Sequence, residues 1–548
     1  MANECPEFVN RFRVTRRSFV AAALALATSP GGVAATHRRG HSFDHGVASG
    51  DPLHDRVIIW SRITPKNWER GVTVKWRMAR DPHMRRVVAR GHVETDILRD
   101  FTVKVDVTGL EPAQTYYFQF KSRGARSVVG RTRTLPLEAH SVRLAAVSCA
   151  NLPAGLFNVY ALLARRVDLH AVLHLGDYLY EYPNGTFGDG TVLGRVPMPD
   201  REILSLIDYR QRHAQYKLDT DLQAAHRQHP FICVWDDHEF ANNTWKDGAD
   251  NHNPDRGEGD WPTRKQAAIR AYFEWMPIRE WEQPADVRIY RQFRFGRLAD
   301  LSMLDSRVHG RDEQSHASYG GPDVGYPADD PVANDPSRTL LGLDQEQWLQ
   351  GNLVRSHADG VTWRLLGQQV LMAQCSMSRG QSLLNFDVWD GYAAARRRLY
   401  DSIRDARIGN LVVLTGDIHS SWANELTTDP WDPAVYDPTT GRGALGVEFA
   451  TPAVSSPGVA DAARAARRAE QFRNTSPHVK YVELRNRGYV LLDLDPERVQ
   501  GEFWHVATVD APSREETMAA AFVNEAGASR LQPVTTPSAA RQQIEPAS

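Results

Sequence analysis

Carboxylates, imidazoles and phenols recur where apolar runs of this sequence end. The run AVLHLGDYLYEY (171–182) places Asp177, Tyr178, Tyr180, Glu181 and Tyr182 directly after Gly176. HPFICVWDDHEF closes on Asp236, Asp237 and His238, and GNLVVLTGDIHSS on Asp417 and His419. Hard oxygen donors mixed with imidazole suit divalent or trivalent metals. Carboxylates gathered this densely repel one another unless a cation neutralises them. A single such aspartate is as often a strand-end cap or a surface turn; three sets together point to a metal centre.

Two further runs share the shape, VRLAAVSCAN ending at Cys149 and LADLSMLDSR ending in Asp305 and Arg307. Ligand groups collect at strand ends in open α/β sheets, so five polar ends predict one shared site. Of four cysteines, Cys5 lies near the N-terminus, and Cys149, Cys233 and Cys375 form too sparse and odd a set for a disulfide framework. Cys233 and Cys375 sit in apolar surroundings and read as buried small hydrophobes.

The elements that must position these residues follow from the pattern along 548 residues, a length that implies two or more domains. In VTRRSFVAAALALATSPGGVAA, Arg16 and Arg17 precede a short apolar run and a small-residue end, which resembles a twin-arginine export signal over residues 1–35. The run is too short to span a bilayer, so no membrane anchor is expected in the mature chain. From 41 to 135, alternating runs such as RVIIWSR, VTVKWRM and TYYFQFK predict an all-β domain. There, LEPAQTYY resembles the tyrosine corner of an immunoglobulin- or fibronectin-like sandwich. From 140 to 510 buried-strand runs alternate with helical patterns, which makes this part α/β. The tail, 511–548, is rich in Ala, Ser and Pro and is expected to form one helix and then fray. With a net charge of −2 and 24% charged residues, no strong field indicates a nucleic-acid partner.

The order GDYLYEY, WDDHE, GDIHSS resembles the calcineurin-like metallophosphoesterase superfamily, in its PhoD-like alkaline phosphatase and phosphodiesterase branch. FDHGVASGDP, SCAN, LDSR and VEFATPAVSSPG extend the similarity over essentially the whole mature chain. The usual superfamily motifs are altered here: SCAN stands for the first, Tyr180 for the last Asp of the second, DDHE for the third and GDIH for the fourth. The resemblance implies a four-layer αββα domain behind the sandwich. It implies Fe3+ held by Cys149, Asp177, Tyr180 and His419, beside Ca2+ sharing Asp177 and taking Asp237 and Asp417. Asp237 rather than Asp236 is selected by alignment with the superfamily's Asn. His238 is implied to give a proton or hydrogen bond to the phosphoryl group, and Arg264 to hold the phosphate.

The expected activity is therefore hydrolysis of phosphomonoesters or phosphodiesters by metal-bound hydroxide, in a protein exported by the twin-arginine machinery to the periplasm, cell surface or medium of a bacterium. Two alternatives stand beside it. One is a phospholipase D-type phosphodiesterase acting on phospholipid head groups. The other is a non-enzymatic, calcium-stabilised surface-binding protein.

Overall fold

The computed structural model describes residues 40–66, 70–280, 287–315, 326–383, 385–541 and 544–547. Arg16 and Arg17, and with them the expected export signal, lie outside the described residues.

The apolar runs become the strands of two large sheets. In the ten-stranded sheet, Val142–Val147, Ala171–His174 and Pro230–Cys233 lie side by side and parallel, so their polar C-terminal ends share one edge. In the seven-stranded sheet, Ala299–Met303, Trp363–Gln368 and Leu411–Thr415 are likewise adjacent and parallel. These six strands are buried throughout, which is why they read as continuous apolar runs. One core unites them: Leu144, Val172 and Ile232 of the first pack with Leu301, Leu365 and Leu414 of the second. A second core lies between the seven-stranded sheet, through Leu366 and Val413, and the helices Leu343–Ala358 and Ala393–Asp405, through Leu349, Leu353, Tyr400 and Ile403. The five polar strand ends thus come from two facing sheets rather than one.

The N-terminal β region does not stand apart from this framework. Val47–Gly50 pairs parallel with Pro230–Cys233, and Arg56–Arg62 and Thr102–Thr108 continue the same ten-stranded sheet. Val72–Ala79, Val87–Thr95 and Thr115–Ser122 belong to a separate five-stranded sheet. Val57, Ile59 and Val103 from the first meet Val74, Met78 and Phe118 from the second in one apolar cluster. The Tyr116 hydroxyl accepts a hydrogen bond from the Glu111 N–H at 2.9 Å, the contact expected of LEPAQTYY.

The tail corrects the expectation of a helix. Glu516–Glu525 is a strand, antiparallel to Arg498–Val506 and followed by Gln532–Val534. Alternating exposure along TMAAA and the open edge of Arg498–Val506 override the helical preference of its alanines. Beyond it, among the described residues, Arg541 pairs with Asp493, and the Tyr117 hydroxyl donates to the Glu545 carbonyl at 2.6 Å.

Candidate metal centre

Cys149 follows the strand Val142–Val147, Asp177 follows Ala171–His174, and Asp417 and His419 follow Leu411–Thr415. All four take positive φ, at 60°, 54°, 62° and 52°. That conformation is unfavourable for residues with a Cβ, and its repetition at neighbouring strand ends marks backbone held in place by its surroundings. Gly176 permits the approach: a Cβ there would lie 2.4 Å from the Asp236 Cβ.

Glu239 ties two of the strand ends together. Its carboxylate accepts the backbone N–H groups of Asp177 at 3.0 Å, Tyr178 at 2.6 Å and Asp236 at 2.8 Å. Neither Glu239 nor the residue at the centre of the cluster, Arg307, was assigned a role from the sequence. Arg307 is fully buried and donates to Asp236, to Asp387 at 2.8 and 2.9 Å and to Asp417 at 2.8 Å, with Asp237 3.6 Å away. The signal was present in LDSR, where an arginine closes the polar end of a buried strand run.

Among the described residues, three groups bring metal-binding atoms within 4.8 Å of one another: Cys149, Asp177 and His419; Asp177, Asp237 and His238; Asp236, Asp237 and Asp417. Asp177 and Asp237 each belong to two of them. The Tyr180 hydroxyl stands beside the first group, 2.9 Å from Asp177 Oδ2 and 3.1 Å from His419 Nε2, and accepts from Ser456 Oγ at 2.7 Å. Seven of the eight residues singled out from the sequence therefore lie together. Arg264 forms its bonds elsewhere, with the Tyr209 hydroxyl at 3.1 Å, Glu202 at 2.8 Å and His252 at 3.4 Å.

The electrostatics fit a bound cation. Asp236 Oδ2 and Asp237 Oδ1 are buried without a hydrogen-bond partner. Burial and neighbouring carboxylates push Asp177 well up, and burial raises Asp236 even against Arg307. Burial likewise lifts Asp417 to about 7. Asp237 moves the other way: against the cost of burial, Arg307 and His238 hold it below the usual carboxylate range. Positive charge in the cluster would favour every ionised carboxylate. Burial lowers His419 to about 3, which favours the neutral imidazole that ligates metals. Cys149 is buried and its thiol is pushed well up by burial and Asp177, so only a metal would draw off its proton. Cys149, Cys233 and Cys375 are all free and buried.

His238 differs from His419. Its Nδ1 lies 2.7 Å from Glu181 Oε2, and although burial opposes charging, Asp237, Glu181 and Asp177 together raise it well above the ordinary histidine value. These carboxylates favour the protonated ring, which would make His238 a proton donor beside the candidate ligands. With Nδ1 spent on Glu181, Nε2 is the nitrogen left for a ligand.

Known proteins resemble this chain over most of its length. The profile of the PhoD-like phosphatase family matches residues 144–503, and that of the PhoD-like phosphatase N-terminal domain matches residues 26–136. Alkaline phosphatase D of Bacillus subtilis (strain 168) is 35% identical over 531 residues, covering 94% of this chain and 86% of the relative. A solved structure described as PhoD superposes with a TM-score of 0.81 at 33% identity, covering 92% of this chain and 94% of the other.

Proposed function

The chain belongs to the PhoD-like phosphatase family and is a phosphoesterase, a hydrolase; from that premise we propose that it is metal-dependent and exported, acting on phosphomonoesters, phosphodiesters or both. Family membership sets aside the non-enzymatic surface-binding reading. The observation that carries metal dependence is the chain of three overlapping ligand groups joined through Asp177 and Asp237. In this reading Cys149, Asp177, Tyr180 and His419 hold Fe3+, for which thiolate and phenolate are strong donors, and Asp177, Asp237 and Asp417 hold Ca2+. Such ions would polarise the phosphoryl oxygens and lower the pKa of a bound water.

The chain's own residues supply the rest. Glu239 and Arg307 fix the carboxylates before substrate arrives. His238, oriented by Glu181, gives its proton to the phosphoryl group or the departing alcohol. Arg264 is buried on Tyr209, Glu202 and His252, so the phosphate-holding role that the resemblance implies for it would require it to exchange its contact with Glu202. We read 41–135 as an N-terminal sandwich domain and 140–510 as a four-layer αββα domain. Residues 1–35 are read as a twin-arginine signal that delivers the folded protein to the periplasm, cell surface or medium.

Calcium removal tests the proposal. Dialysis against a calcium chelator abolishes hydrolysis of both 4-nitrophenyl phosphate and its bis-ester, and added Ca2+ restores it. Full activity after prolonged chelation would remove calcium from the account. A phospholipase D-type preference would show as activity on phosphatidyl diesters exceeding that on the monoester.

A further inference from the structure

Exposure across the centre is graded. Cys149, Asp177, Tyr180, Asp236 and Asp237 are at most 2% exposed, whereas Asp417 and His419 are half-buried, so the opening lies on the side of the last two. One aromatic ring covers that side. Phe187, half-buried in the loop after Tyr182, stacks on His419 with centroids 5.7 Å apart and planes at 27°. It also lies over His238 at 6.3 Å and 15°, and against Tyr180 at 5.7 Å. Its carbonyl accepts from the side chain of Asn151, which is fully buried two residues beyond Cys149. The ring is thus fixed to the same strand end as the proposed thiolate.

A cavity of about 350 Å³ adjoins this loop, lined by its Gly188 together with Pro153, Ala154, Leu193 and Pro457, with the exposed Val192 at its mouth. Gly188, the residue after Phe187, has φ 121°, and a Cβ there would lie 3.0 Å from Ala154, so the loop sits tightly against the SCAN segment. Pro457 lines the cavity, and its neighbour Ser456 donates to the Tyr180 hydroxyl, so the cavity adjoins the centre along this segment. Asp189 and Asp510 complete the wall, which makes the cavity apolar with an acidic rim.

We propose that Phe187 and this cavity form a subsite for the organic part of the ester, selecting an apolar group such as an aryl alcohol over a polar one such as glycerol and over one that carries a second anion. This rests on the phosphoesterase reading. An ester whose phosphate lies among Asp177, Asp237, His238 and Asp417 must leave the centre past the Phe187 ring. A flat apolar group stacks there, as aromatic pairs do. A second anion would meet two carboxylates and no partner cation in the cavity wall.

The test is the ratio of kcat/KM for phenyl phosphate to that for glycerol phosphate in the metal-loaded enzyme, with calorimetric binding of phenylphosphonate against inorganic phosphate as a readout free of turnover. Phe187→Ala lowers both ratios about threefold to tenfold, Phe187→Trp keeps them, and Leu193→Glu lowers them as well. A parallel fall in both substrates, or ratios unchanged in Phe187→Ala and Leu193→Glu, would overturn the subsite. If no ester is hydrolysed at all, the phosphoesterase reading fails separately, and the phosphonate titration still decides whether the subsite exists.

Discussion

Arg307 illustrates what a sequence withholds at the scale of a residue. The types and spacing of Asp177, Asp237, Asp417 and His419 announce a metal centre, because each ends a motif of hard donors. An arginine serving four carboxylates has no local pattern, since its partners lie 70 to 110 positions away. Lys217 is a second such case. It is fully buried, 2.9 Å from His226 Nε2 and 5.1 Å from the centre of the Trp60 ring, with no carboxylate pairing with it among the described residues. Burial drops its pKa to about 7. Below about pH 7 folded and unfolded chains both carry this proton, and above the ordinary lysine value neither does. Between them the unfolded chain binds more protons, so stability rises with pH. Denaturant unfolding of the wild type and Lys217→Met should therefore give a stability difference that shifts in the wild type's favour by about 4 kcal/mol between pH 7 and pH 10. A constant difference would mean that Lys217 stays charged in the folded protein.

Elements are where the sequence was most legible and also where it misled. Continuous apolar runs identified the strands around the site, because a strand buried on both faces has no other way to be written. The expectation of one helix in the tail 511–548 failed because the unpaired edge of Arg498–Val506, which only the folded sheet reveals, favours a strand over the helical preference of alanine. The same limit applies to Glu239: WDDHE is visible, but not that its last residue bridges two strands. Removing that carboxylate in Glu239→Ala strands three buried N–H groups and should cost about 3 kcal/mol or more, read as a lower urea midpoint with an unchanged m-value. Glu239→Gln, which keeps one acceptor, should fall between the two. A loss below about 1 kcal/mol in Glu239→Ala would show that water replaces the carboxylate and that the strand ends are held by other contacts.

For the whole molecule, the division into a β region and an α/β region is plain in the change of hydrophobic period near residue 140. What periodicity cannot convey is that Val47–Gly50 pairs with Pro230–Cys233, so that one hydrogen-bonded sheet runs from the N-terminal region through the three site strands to the tail. The facing sheets explain why donors from five separate runs meet: their strands end at a common edge, and the isolated bridge between Ser148 and Ala453 joins the two sheets there. The central claim is that this edge holds metal ions and that hydrolysis depends on them. The most direct measurement is metal content per chain by mass spectrometry, taken with the rate of 4-nitrophenyl phosphate hydrolysis on the same samples, for wild type and Asp237→Asn. Asp237 belongs to two of the three ligand groups, and its Oδ1 has no hydrogen-bond partner among the described residues. The account predicts that wild type carries more than one metal ion per chain, and that Asp237→Asn loses bound metal and at least a hundredfold in rate together, on the order of 3 kcal/mol of transition-state stabilisation. An Asp237→Asn protein that hydrolyses at the wild-type rate, or a wild-type protein fully active without metal, would contradict it.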